Sequence, residues 1–119
     1  MYTLFVDVDD TLITWCPEGC QHTMHPFGAG ANHWRLNEEV YDFMCWWSGP
    51  IVIWSGGGDA WAEEMATKAL PPEMLARVDR YESKWTRIPS VGDLFIDDDP
   101  FESFAGKTLH PNKLKDLKW

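Results

Sequence analysis

Two short apolar runs in this chain each end in a burst of aspartates. The first reads Leu4-Phe5-Val6-Asp7-Val8-Asp9-Asp10-Thr11 and the second Leu94-Phe95-Ile96-Asp97-Asp98-Asp99. A short, continuous apolar run is what a strand buried on both faces of a parallel sheet requires. Crowding carboxylates at the ends of two such strands costs folding free energy unless a cation neutralises them. The pattern therefore predicts a sheet with a metal site at one edge.

The stretches between these runs read as helices and further strands. From Asn37, the residues Glu38, Glu39, Val40, Phe43, Met44 and Trp47 place acids in a first turn and apolar groups at helical spacing, with Gly49-Pro50 as the stop. Ile51 to Trp54 predicts a second buried strand running into Ser55-Gly56-Gly57-Gly58, and Asp59 opens a second helix that Pro71-Pro72 ends near Leu70. Arg77 to Tyr81 is expected as a short third strand and Ser83 to Ile88 as a helical turn. Leu94 to Ile96 is expected as a fourth strand and Lys107 to His110 as a fifth. Strands alternating with helices imply an α/β fold with a mostly parallel sheet and right-handed crossovers. Residues from about Thr14 to His33 show no sustained periodicity and are expected to form a long loop or flap.

The totals narrow the function. A chain of 119 residues suits a single domain, and 45% hydrophobic with 24% charged residues is ordinary for a globular protein. The formal net charge is -9, and the two aspartate bursts supply six of the 19 acidic side chains. An acidic surface is unsuited to broad capture of duplex nucleic acid, which depends on phosphate neutralisation. Three cysteines, Cys16, Cys20 and Cys45, and an opening Met-Tyr-Thr-Leu without a basic region lead to the expectation of a cytoplasmic chain with reduced thiols. No apolar stretch reaches the roughly 18 residues of a membrane span, so no membrane partner is expected.

Asp7-Val8-Asp9-Asp10-Thr11 after a strand, Ser55 after Ile51-Val52-Ile53-Trp54, and Asp97-Asp98 after Leu94-Phe95-Ile96 together resemble the motifs of the haloacid dehalogenase (HAD) superfamily of aspartate-nucleophile phosphohydrolases. The resemblance covers nearly the whole chain and implies a three-layer Rossmann-like domain over residues 1–119. It further implies Asp7 as the nucleophile, forming an aspartyl-phosphate, and Asp9 as the group that protonates the leaving oxygen and later deprotonates water. Mg²⁺ would be held by Asp7, the backbone carbonyl of Asp9, and an acid of the fourth motif, with Asp97 ranked before Asp98. Asp10 and Asp99 are expected as turn or supporting residues.

The same resemblance assigns phosphate contacts to Thr11, Ser55 and Gly56, with the glycines and the Asp59 helix start letting backbone N–H groups approach the anion. A lysine should balance Asp7 and the phosphate; Lys84 is the candidate and Lys68 the fallback, against the alternative that Lys84 is a solvated surface lysine. The form Trp-Ser-Gly-x-Gly-Asp looks like the branch of the family that acts on nucleotide or polynucleotide-end phosphates.

Two further groups call for weighing. Cys16, Cys20, His22 and His25 are the residue types of a tetrahedral zinc site, yet their spacing matches no common finger pattern, and unpaired side chains in a flap are the alternative. Among the eight tryptophans, Trp46, Trp47, Trp54 and Trp61 are expected to pack in the core. Trp15 and Trp34 flank the flap, where they either stack on a substrate base or pack the loop onto the domain.

The flap, residues 14–35, stands in place of a full cap domain. An open site suits a phosphate displayed on a nucleic-acid end or a phosphoprotein, while a nucleotide held by the flap is a further option. The sequence leaves two alternatives to a phosphatase: a binding or regulatory module with metal but little turnover, and a phosphotransferase.

Overall fold

The computed structural model describes residues 2–16, 33–84, 94–97, 107–111 and 114, with only the backbone considered at 15, 16, 33, 107 and 108. The chain runs β1 (Leu4–Asp7), β2 (Ile13–Cys16), β3 (His33–Leu36), α1 (Glu38–Trp46), β4 (Ile51–Ser55), α2 (Asp59–Ala69), α3 (Pro72–Leu75), β5 (Val78–Ser83), β6 (Leu94–Ile96) and β7 (Lys107–Leu109). Five strands form one sheet in the order β5-β4-β1-β6-β7, and every pairing in it is parallel. The architecture is α/β. From β1 the chain builds outward to β4 and β5 on one side, then to β6 and β7 on the other, so the winding reverses between β1 and β6. A crevice opens beyond the carboxyl ends of the strands at such a reversal.

Alternation along the strands explains the apolar runs. Leu4, Val6, Ile51, Ile53 and Ile96 join the larger core, where Val40, Phe43 and Met44 of α1 and Ala62, Met65 and Ala66 of α2 pack. Phe5, Val52, Trp54 and Phe95 point to the opposite face and form a second cluster, also withdrawn from solvent. Within it Phe5 stacks on Phe95 at 4.9 Å between ring centroids and meets Trp54 at 4.9 Å. A strand flanked by two dry faces has no polar position to spare until it ends, which is where the aspartates begin.

Each helix follows from local chemistry. Asn37 caps α1, its side-chain oxygen accepting from the N–H groups of Glu39 at 3.2 Å and Val40 at 3.5 Å, with Glu38 and Glu39 favourably placed against the helix dipole. The buried residues Val40, Phe43 and Met44 recur at the i, i+3, i+4 spacing of a helical face. In α2 the same spacing appears in Ala62, Met65 and Ala66, while Lys68 pairs with Glu64 at 3.3 Å on the outer side. That places Lys68 in an exposed pair, away from the strand ends.

Several expectations are corrected. The segment 14–33 is not wholly loop: Ile13–Cys16 and His33–Leu36 pair antiparallel, so a ribbon stem holds both of its ends. Residues 17–32 lie outside the described residues. Trp34 is 5% exposed and belongs to the main core, so packing rather than base stacking accounts for it. Trp46, expected in the core, is 53% exposed, because α1 turns Phe43 and Met44 inward and leaves the next turn's outer side to solvent. The third strand begins and ends later than expected, at Val78–Ser83, and Ser83 is strand rather than helical turn. Pro71-Pro72 ends α2 but also opens the short helix α3, with proline favourable in a first turn. Among the described residues no helix is long and apolar enough to cross a membrane.

Because Asn37 supplies the side-chain cap of α1, Asn37→Ala should lower stability by about 1 kcal/mol without changing the fold. Urea unfolding checks this: the midpoint should fall while the denaturant slope stays constant.

Candidate functional site

Parallel pairing in register sets the site. Val6 lies opposite Ile96, so Asp7 and Asp97 emerge side by side from β1 and β6. Asp7 lies opposite Trp54, and Ser55 follows one residue on; Ser55 in turn pairs with Ser83, which brings Lys84 to the same edge. The Lys84 N–H donates to the Ser55 carbonyl at 3.0 Å and fixes that height.

Lys84 then spans the crevice. Its Nζ lies 2.8 Å from Asp7 Oδ1 and 2.6 Å from Asp97 Oδ2, with the lysine side chain 9% exposed and the Asp97 side chain fully buried. The indole ring of Trp54 lies beneath, 5.9 Å from Nζ to its centroid. Burial by itself pulls the lysine pKa down, but the charge and hydrogen bond of Asp7, joined by those of Asp97, outweigh it and hold the pKa above its ordinary value. The sequence assignment of Lys84 as the partner of Asp7 thus meets a direct geometric counterpart.

The turn after β1 completes the surroundings of Asp7. The N–H groups of Leu12 and Ile13 return to the carbonyls of Asp7 and Val8 at 3.1 Å each, and Asp10 adopts φ 58°. Aspartate tolerates this left-handed conformation better than most residues, which gives Asp10 the turn role expected of it. The turn buries Thr11 and directs its hydroxyl to Asp7 Oδ2 at 3.1 Å. Thr11 is therefore a partner of Asp7. Each oxygen of Asp7 meets one of these donors, and a carboxylate oxygen has a further acceptor direction left.

Asp9 has a different partner. It is half-buried, its backbone is bridged to Ile13, and Trp61 Nε1 donates to its Oδ2 at 3.2 Å. This contact joins residues far apart in sequence, and the sequence reading missed it. A tryptophan in the first turn of a helix that starts at a strand-end loop was the available signal.

The loop after β4 also departs from expectation. Ser55 is 2% exposed; its Oγ accepts from Gly57 N–H at 3.0 Å and its carbonyl accepts from Gly58 N–H at 3.2 Å. Two of the three glycine N–H groups are thus turned inward to close the loop rather than presented to an anion. The hydroxyl keeps its own hydrogen for donation. Gly58 has φ 107°, a conformation that a side chain would strain, and Gly56 is exposed at the loop tip.

The donor chemistry suits magnesium. Two buried carboxylates, Asp7 and Asp97, share a single ammonium, which leaves a net negative charge in a dry setting that a cation would offset. Among the described residues no three Asp, Glu, His or Cys side chains cluster into a cage. Mg²⁺ commonly takes one or two carboxylates and fills its octahedron with water and phosphate oxygens, so such a cage is not its requirement. Asp98 and Asp99 lie outside the described residues, as do Cys20, His22 and His25 of the candidate zinc set, and of Cys16 only the backbone is described.

Lys84→Met should destabilise the fold by about 3–5 kcal/mol, since it leaves two buried carboxylates without their cation. The folded pKa of Lys84 lies above the ordinary lysine value of about 10.5, so its contribution is fully present below that pH and is lost as pH rises through the folded value. The stability gap between wild type and Lys84→Met, measured by urea unfolding, should accordingly narrow above about pH 10.5.

Comparison of the chain with protein-family models, curated proteins and solved structures finds no match, so the site's own geometry carries its interpretation.

Proposed function

We propose that this chain is a Mg²⁺-dependent phosphohydrolase that cleaves phosphate monoesters through an aspartyl-phosphate on Asp7, on a three-layer Rossmann-like domain of HAD type. The observation that carries the reading is the convergence of Asp7 and Asp97 on Lys84 at the point where the sheet reverses its winding. Ligands in parallel α/β sheets bind at such a point, and a phosphate arriving there meets a carboxylate and a cation already fixed.

In the forward step an oxygen of Asp7 attacks phosphorus, the bond to the leaving oxygen breaks, and its electron pair departs with that oxygen. Asp9, protonated, gives the leaving oxygen its proton. In the second step Asp9 takes a proton from water as the water oxygen bonds to phosphorus. The bond between phosphorus and Asp7 then breaks, returning the electron pair to the carboxylate and releasing inorganic phosphate. Lys84 and the Thr11 hydroxyl hold the Asp7 carboxylate in one orientation throughout, and the Ser55 hydroxyl donates to a phosphoryl oxygen. Asp7, the Asp9 carbonyl and Asp97, with Asp98 as a further candidate, would hold Mg²⁺, whose charge would lower the repulsion between carboxylate and phosphate. The exposed Gly56 edge and the shortness of residues 14–35 as a stand-in for a full cap favour a phosphate carried on a larger molecule, such as a nucleic-acid end or a phosphoprotein, with a nucleotide as the smaller option.

A panel of phosphate esters assayed with Mg²⁺, with chelator and with Asp7→Asn tests this. Turnover should require Mg²⁺ and fall by at least about a thousandfold in Asp7→Asn, the scale on which loss of a nucleophile acts. Absence of Mg²⁺-dependent turnover on every ester would favour a binding module, and undiminished turnover in Asp7→Asn would remove the covalent mechanism.

A further inference from the structure

We infer that Trp61 is a positioning residue for Asp9, acting through its indole N–H on proton transfer to the leaving group; this deepens the phosphohydrolase reading and rests on it. Three observations support the assignment. The indole Nε1 lies 3.2 Å from Asp9 Oδ2, a donor aimed at the side chain assigned to move protons. Gly57 forms the seat of the ring: a Cβ added there would come within 3.2 Å of Trp61 Cδ1 and 3.3 Å of Cγ, so the indole lies against the loop that carries Ser55. Trp61 also packs against the main core from the first turn of α2, which anchors the ring on a rigid element.

The consequence is a link between the two ends of the reaction. The Asp9 backbone is tied to Ile13 through the β1 turn, but that leaves its side-chain torsions open; the indole N–H fixes one carboxyl oxygen and so restricts them. The same ring sets its distance from Ser55 through Gly57. One side chain thereby registers the proton donor against the hydroxyl that holds the phosphoryl group. A tryptophan suits this because it is a donor without a charge, so it orients Asp9 without competing with Lys84 for the site's anions.

Trp61→Phe keeps an aromatic ring and removes the donor. The diagnostic comparison is between an alkyl phosphate, whose alkoxide needs protonation to depart, and p-nitrophenyl phosphate, whose phenolate leaves unaided. The kcat/KM of the alkyl ester, which reports steps up to departure of the leaving group and not the shared hydrolysis of the aspartyl-phosphate, should fall about tenfold, the scale of one lost hydrogen bond to a charged group, while that of the aryl ester stays within about twofold. Equal losses on both esters, or none on either, would overturn the positioning role while leaving the phosphohydrolase reading in place. Absence of turnover by wild type on both esters would overturn that reading and the inference with it. A second measurement does not depend on turnover. In the wild-type protein the assigned Trp61 indole N–H resonance should move on Asp9→Ala, and an unmoved resonance would count against the contact.

Discussion

The ammonium of Lys84 between two buried carboxylates is the interaction on which the site depends. Asp7 and Asp97 end adjacent parallel strands whose other residues are packed on both faces, so both carboxylates are nearly withdrawn from solvent. In such surroundings the Coulombic energy of an ion pair is large, but so is the cost of desolvating its members. The geometry offsets that cost by having one cation serve two anions and by placing the Trp54 ring under it. It also binds the sheet across its winding reversal, because Lys84 follows β5 while its partners follow β1 and β6. A strand at one margin is thus tied electrostatically to the sheet's centre.

Local backbone chemistry determines which of the clustered acids take part. Val8, Asp9, Asp10, Thr11 and Leu12 make a turn whose N–H groups fold back on the end of β1, and the left-handed residue within it is Asp10. That single conformation separates three neighbouring aspartates. Asp7 stays in the dry crevice, Asp9 reaches the indole of α2, and Asp10 is exposed as the hinge of the turn. Similar side chains acquire different surroundings because the chain reverses between them.

Much of this was legible in the sequence, for identifiable reasons. Strands with two buried faces show as uninterrupted apolar runs, so β1, β4 and β6 could be placed closely; an Asn before two glutamates marks the start of α1 with a specific hydrogen-bonding role. Lys84 followed from the need to balance Asp7. The failures have a common cause, which is that identity does not disclose direction. Trp34, Trp46 and Trp61 are the same residue type, yet one is core, one is exposed and one donates to a carboxylate. The β2–β3 ribbon escaped because its partners are separated by a long interval and its four-residue strands are too short to establish a period. The Ser55 loop escaped for another reason: its glycines suggested an open cradle, but a serine hydroxyl two residues back closes the turn on itself.

The contrast between Asp7 and Asp9 bears directly on the chemistry assigned to them. A nucleophilic carboxylate must remain an anion while it attacks, and the Lys84 ammonium 2.8 Å from Asp7 favours that form. A proton carrier has the opposite requirement, since it must gain and lose a proton in turn. Among the described residues Asp9 meets a neutral N–H rather than a cation, so protonating it breaks no ion pair. The fold thus provides one carboxylate with a charge and the other with a dipole, a difference in partner that accords with the different roles proposed for them.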